Sequence, residues 1–254
     1  MPHMKSIIFR VSFLCLSILA ANPLLVAQES GIDQAAFSDL KNQASALASA
    51  GRLKEAIPIL EELISRIQQT GNKEIPLDLP YFLLGAGHIQ RYADTGDLNQ
   101  LNTAIRWYDR LEKEYPESKN LKQALLKKID ILRALKKTDQ AIQLMQEILN
   151  GQKTIRLSVS EEIELLKDIS QIYYGQGKLK EGLPYFKKLL NEGRSVEEKA
   201  VGAAATYEGL IADKQLDEAI ALLPILAKES PVRYLPRLNV ALLKASDTMV
   251  DEER

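Results

Sequence analysis

The 254-residue chain is 46% hydrophobic and 26% charged, with a formal net charge of −1. These proportions exclude a disordered, collagen-like or disulfide-built chain, and they lack the basic excess that usually marks a nucleic-acid binder. The length fits one or two conventional domains, or one elongated repeat array.

The first residues differ from the rest. Lys5 and Arg10 precede an apolar run, Val11 to Ala21, interrupted by Cys15 and Ser17. Asn22-Pro23 then breaks the run before Leu24-Leu25-Val26-Ala27 and the polar Gln28-Glu29-Ser30. A basic start, a short apolar stretch and a small residue before a polar one make a secretory signal peptide over residues 1–27. Cleavage after Ala27 leaves residues 28–34 as a linker; cleavage after Ala21 is the alternative. The competing reading is an uncleaved anchor, since Ile7 to Ala27 nearly spans a bilayer, but Arg10, Ser12, Ser17 and Asn22 interrupt it. The expectation is an exported chain, periplasmic or attached to a cell envelope, with no membrane span after signal cleavage.

Cysteine and histidine counts narrow the chemistry further. The single Cys is Cys15, and of the two histidines His3 also lies in the signal, which leaves His88. The mature chain therefore has no disulfide, no cysteine nucleophile and no thiolate metal site. Ser12-Phe13-Leu14 is a poor lead into a lipidated Cys15. Losing Lys5 and Arg10 with residues 1–27, and no acid, takes the net charge from −1 to −3. That is too weak an excess to predict a partner's charge.

Beyond the signal, apolar residues recur at three-and-four spacing and no stretch alternates with a period of two, so helices are expected throughout. One phrase returns. It reads Gly51-Arg52-Leu53-Lys54-Glu55-Ala56-Ile57, then Gly177-Lys178-Leu179-Lys180-Glu181-Gly182-Leu183, then Lys214-Gln215-Leu216-Asp217-Glu218-Ala219-Ile220. Weaker copies end in Thr138-Asp139-Gln140-Ala141-Ile142 and Asn102-Thr103-Ala104-Ile105. In each, a large apolar residue follows four after the small one: Leu60, Tyr108, Met145, Phe186 and Leu223. Leu63, Leu111, Ile148, Leu189 and Leu226 continue the stripe. The small residue lets two helices approach closely, and the large one fills the space beside it.

This phrase resembles the turn and second helix of a tetratricopeptide repeat. The resemblance implies helical hairpins, each with a helix A, a tight turn and a helix B, over residues 35–236. The expected fold is all-α, a right-handed α-α superhelix of five degenerate hairpins plus a terminal helix. Helix A adds small-residue contacts at Ala44, Gly85 and Ser170. The small residues of the B helices are 48, 37, 41 and 37 apart, against a family period of about 34. The first gap asks for an insertion, assigned to Gln69–Pro80 and to a longer helix A across Ala93–Gln100. Tyr115-Pro116 and Ser230-Pro231 match a proline often found after helix B. The third unit departs furthest, with bulky Ile129 where a small residue belongs. Pro58 and Pro184 sit two residues after their small residues, which supports the register. Residues 237–254 read as helix A of a truncated sixth repeat or as a capping helix. An irregular helical bundle is the competing reading.

The chain carries no phosphate-binding glycine loop, no histidine pair at metal spacing and no nucleophile elbow. No catalytic residue, cofactor or metal is therefore expected. Gly85-Ala86-Gly87 reads as close helix packing, and His88 as a helix-surface or interface residue. Glu161-Glu162, Glu197-Glu198 and Glu252-Glu253 fit helix starts, where acids favour the positive end of the helix dipole. The scattered lysine pairs read as solvated faces rather than a nucleic-acid stripe.

What the resemblance implies is a concave face, lined by A helices, that holds a protein or peptide segment. The family's groove positions fall on Lys41 and Ser45 in the first hairpin, and on Leu126, Asp130 and Arg133 in the third. They fall on Lys167, Gln171 and Tyr174 in the fourth, and on Ala204, Glu208 and Ile211 in the fifth. An ordinary solvated helix face is the competing reading for each. No Lys/Arg cluster marks a site for an anionic terminus. The expected function is a non-catalytic interaction scaffold of a bacterial envelope, with no nucleic-acid partner and an unassigned oligomeric state. The alternative is the N-terminal adaptor of a larger envelope enzyme or assembly factor.

Overall fold

A computed structural model describes residues 34–70, 75–230, 232–237 and 239. The signal peptide, the linker up to residue 33 and most of the 237–254 segment lie outside the described residues. Ten α-helices are described: α1 Gln34–Ser49, α2 Leu53–Thr70, α3 Asp78–Thr95, α4 Leu98–Glu114 and α5 Leu121–Ala134. They continue with α6 Thr138–Leu149, α7 Val159–Gly175, α8 Leu179–Glu192, α9 Val196–Ala212 and α10 Leu216–Glu229. Residues 232–237 are helical as well. The chain divides at residues 156 and 157 into two compact units. In unit 1, α1 packs on α2, α3 on α4 and α5 on α6; in unit 2, α7 packs on α8 and α9 on α10. These are five helical hairpins, and the all-α hairpin architecture is the one expected.

The turn inside each hairpin explains the recurring phrase. Gly51, Gly96 and Gly177 adopt φ of 71°, 70° and 68°, the left-handed conformation that ends a helix without a Cβ penalty. Lys136 and Lys214 take the same role at φ 57° and 62°, although they carry side chains. The residue after four of these turns donates its N–H back across the helix end, as in Arg52 to Leu47 O at 2.8 Å and Lys178 to Tyr173 O at 3.0 Å. Lys137 to Leu132 O and Gln215 to Leu210 O repeat that bond at 2.9 Å. Helices α7 and α9 open instead on capping boxes. Ser158 and Ser195 accept from the third helical N–H, and Glu161 and Glu198 reach back to the cap N–H. Two of the expected acid pairs therefore start helices, while Glu252-Glu253 lies outside the described residues.

The small-then-large stripe forms the core. Ala56, Ala104, Ala141 and Ala219 are wholly buried, as are Tyr108, Met145 and Phe186 beside them. Gly85 faces Tyr108 so closely that a Cβ there would lie 2.2 Å from the ring. Gly87 points the other way, onto Leu53 O and Ile57 of the preceding hairpin. The Gly85-Ala86-Gly87 run thus packs α3 against both neighbours. His88 is buried between α3 and α4, with Nδ1 2.8 Å from Gln100 Oε1; it is an interface residue and not a surface one.

One expectation needs correction. No long helix crosses Ala93–Gln100: α3 ends at Thr95, Gly96 turns left-handed, and Asp97 caps α4 by accepting from Asn99 N–H. Part of the extra length is one added turn at the start of α4; the rest lies before α3, where α2 runs on to Thr70 and α3 begins only at Asp78. Leu101, 2% exposed, matches buried Leu53, while Leu98 stands 50% exposed one turn earlier. Pro58 and Pro184 are each the sixth residue of their helices, on exposed faces. The carbonyl each leaves without an N–H partner can turn to water there.

Candidate protein-docking face

Within each unit the A helices of successive hairpins also touch, α3 with α5 and α7 with α9. In each unit, therefore, these two A helices lie side by side. All the groove residues expected from the sequence lie on A helices. Lys41 and Ser45 are on α1, half-buried, and the Ser45 hydroxyl donates to Lys41 O at 2.6 Å. That bond occupies the hydroxyl's single donor within its own helix. Leu126 and Asp130 are half-buried on α5, and Arg133 is exposed at its end. Asp130 lies near enough to help push the buried Tyr108 phenol upward, although burial is the larger cause.

In unit 2 the stripe is more open. On α7, Lys167 is half-buried while Gln171 and Tyr174 are exposed; on α9, Ala204 and Glu208 are half-buried and Ile211 is 40% exposed. Two of these residues are brought together through the segment that follows α10. Arg233 Nη2 donates to Glu208 Oε1 at 3.2 Å and Arg237 Nη1 to the same oxygen at 3.4 Å. A hydrogen bond to the Tyr174 hydroxyl is the largest cause raising the Arg233 pKa, with the Glu208 charge a lesser one. The segment is anchored by Tyr234, 3% exposed, in a cluster with Tyr207, Leu223, Leu226 and Ala227. The Tyr234 ring meets Tyr207 edge-on at 5.8 Å. Arg237 sits 5.6 Å from the centroids of both rings.

This arginine pair is a feature that the repeat register does not mark. The signal was faint, because Arg233 and Arg237 lie 25 and 29 residues beyond Glu208. Arg233 closes the expected array of residues 35–236 and Arg237 opens the 237–254 segment, and neither is a groove position expected from the sequence. Among the described residues, no group of three or more His, Cys, Asp or Glu could hold a metal. No described helix is long and apolar enough to cross a membrane.

The sequence profile described as "Tetratricopeptide repeat" matches residues 123–150, which span most of α5 and all of α6. This is the hairpin whose Ile129 departs furthest from the expected small residue. No curated protein matches the chain. Two solved structures resemble it, both of a Podosopora anserina putative kinesin light chain with nearly identical TPR-like repeats. One is 17% identical with a TM-score of 0.45, covering 76% of this chain and 96% of that one. The second, a single-substitution form of the same protein, is 16% identical with a TM-score of 0.45, covering 79% of this chain and 99% of that one. The profile match supports the tetratricopeptide family, whose repeats generally act as non-catalytic protein-binding scaffolds.

Proposed function

We propose that this protein is an exported, non-catalytic scaffold of a bacterial envelope that holds a segment of another protein against the outward stripe of its A helices. The observation that carries the reading is in unit 2, where Tyr174, Glu208 and Ile211 share a face with the converging Arg233 and Arg237. Exposed aromatic and aliphatic groups beside oriented charges are what a protein segment can use. Export rests on the basic, apolar and small-residue order of residues 1–27.

Two measurements test the proposal. Mass spectrometry of the chain from its source cell should give an N-terminus at Gln28; an intact Met1 would remove the cleaved-signal part. For docking, a photo-crosslinking residue is placed at position 171, on the exposed stripe beside Tyr174. It should capture a defined envelope protein, and Tyr174→Ala should reduce the yield severalfold. Capture unaffected by Tyr174→Ala would remove docking at this face.

A further inference from the structure

We propose that residues 152–158 are a proteolytic processing site, cut between Arg156 and Leu157 and guarded by a salt-sensitive latch centred on Lys153. The enzyme class that fits it is an arginine-specific endoprotease, and the inference is independent of the docking reading above.

The place of this segment in the chain comes first. Residues 152–158 lead from α6 to α7 without helix, and the boundary between the two compact units falls between Arg156 and Leu157. Lys153, Ile155 and Leu157 are half-buried, whereas Thr154 and Arg156 are exposed. An alternation with a period of two belongs to extended backbone. Exposed segments of this kind are where chains are nicked, because a protease cleft must reach the backbone on both sides of the bond. Two other connections carry an exposed arginine, and both are tighter. Arg52 stands in residues 50–52 and Arg194 in residues 193–195. Their backbone N–H groups are tied, to Leu47 O and to Glu198 Oε2, each at 2.8 Å.

Side chains of unit 1 hold this strap down. Lys153 Nζ donates to Glu112 Oε1 of α4 at 2.6 Å and to Glu147 Oε2 of α6 at 2.9 Å. The Thr154 hydroxyl donates to Pro116 O at 2.7 Å. Gln143 orients Glu147, its Nε2 donating to Oε1 at 2.9 Å. Glu112 is shared, since its Oε2 accepts from Lys128 of α5 at 3.4 Å, and Lys128 also pairs with Asp109 at 2.5 Å. Three carboxylates thus face two lysines, and lifting Lys153 away would leave three acids on one. That imbalance favours the closed strap. The Lys153, Glu112 and Glu147 side chains are 23%, 23% and 26% exposed. Such pairs hold more firmly than fully solvated ones, yet mobile ions reach and screen them.

Cutting requires the strap to lift, so its rate follows the population of the lifted form. Hydrolysis adds one water across the bond, a hydroxyl to the Arg156 carbonyl carbon and a proton to the Leu157 nitrogen. The new acid passes its proton to the new amine, leaving a carboxylate and an ammonium. The cut parts unit 1 from unit 2 without breaking a helix.

The test is limited digestion of the full chain by an arginine-specific endoprotease, with fragments read by mass spectrometry. A synthetic peptide of residues 150–160 corrects for the effect of salt on the protease itself. The first new N-terminus inside the folded units should be Leu157. Lys153→Met should speed that cut about fivefold or more at low salt, while Lys153→Arg, which keeps the charge, should stay near the parent rate. Raising the salt should speed the cut in the parent and leave Lys153→Met unchanged. Circular dichroism checks that each variant keeps its helices. A first cut after Arg52 or Arg194 would overturn the site. Cutting after Arg156 at equal rates in the parent and Lys153→Met, or with equal response to salt, would overturn the latch.

Discussion

Among the described large apolar side chains, unit 1 exposes only Leu98, at 50%, whereas unit 2 exposes ten, from Ile211 at 40% to Val232 at 94%. Unit 1 spends its polar groups on internal ties. Tyr81, fully buried, donates to Glu114 at 2.9 Å and accepts from Arg110, whose guanidinium also stacks 4.4 Å above the Tyr81 ring. Lys153 bridges Glu112 at 2.6 Å and Glu147 at 2.9 Å, which fastens the strap after α6 to α4. Unit 2 has cross-helix pairs too, as in Lys188 to Glu162 at 2.7 Å. Its arginines, however, converge at an open face. Val232 and Leu235 stand on the same short helical segment as those arginines. The difference separates a unit built around its own interior from one whose surface offers contacts.

Helix α10 sharpens the contrast. Ile57 and Leu183, one residue after the small residue of their B helices, are 2% and 7% exposed, because a glycine of the next A helix packs on each. Ile220 has the same register and is 45% exposed; Leu216, which matches Leu53, is 55% exposed.

The largest effect is expected in the interior of unit 1. Tyr108→Ala removes a wholly buried ring seated on Gly85 and tilted against Phe82. The cost should be about 3–5 kcal/mol. Urea unfolding followed by the fluorescence of Trp107, the sole tryptophan, reads unit 1 directly. A loss below about 1 kcal/mol would break the picture of unit 1 as the tightly packed region.

Gly202→Ala makes the corresponding test in unit 2. A Cβ there would lie 2.5 Å from Leu190 N and 2.7 Å from its Cα, backbone atoms that cannot swing aside. Overpacking of this kind should cost about 1–3 kcal/mol. Hydrogen exchange should show lost protection in α8 and α9 while Trp107 fluorescence is unchanged. Equal loss of protection in α3 and α4 would contradict two separate units.

Much of this fold was legible because it depends on local chemistry. Gly51 and Gly177 announced their turns, and the small residues of the stripe marked the close approaches that the structure buries. The added turn of α4 was not legible, since Leu98-Asn99-Gln100 continues a helix as readily as α3 would. Tertiary contact decides it: buried Leu101 and the His88–Gln100 bond fix the register. Nor did Ile129 disqualify its hairpin, because at 2% exposure it fills the space a small residue would have left to a neighbour. The docking face was legible only by halves. Tyr174 and Glu208 fall at expected groove positions, whereas Arg233 and Arg237 reach Glu208 from positions that carry no such expectation.

A smaller effect should follow acidification. Hydrogen bonds from Lys153 and Gln143 hold the Glu147 carboxyl below its ordinary range. A carboxylate depressed in the folded state contributes stability that is complete above its unfolded pKa and is lost as pH falls through the folded one. The strap should therefore loosen in acid, and Glu147→Gln should remove that part of the pH dependence at a cost of no more than about 1 kcal/mol near neutrality. Hydrogen exchange at residues 151–154 measured across the acid range reads this directly. An unchanged pH profile in Glu147→Gln would deny the carboxylate its role.

The smallest change runs in the stabilising direction and compares hairpins within both units. Lys136 and Lys214 hold the left-handed position that glycine fills at residues 51, 96 and 177. A side chain in that conformation costs about 1–2 kcal/mol, while glycine's greater freedom in the unfolded chain returns about 0.5–1 kcal/mol of the advantage. Lys136→Gly and Lys214→Gly should each therefore gain about 0.5–1 kcal/mol. The Lys136→Gly gain should appear in urea unfolding of unit 1 read by Trp107, and the Lys214→Gly gain in slower exchange of α9 and α10 amides. Destabilisation by either would mean that the lysine makes contacts worth more than its backbone strain.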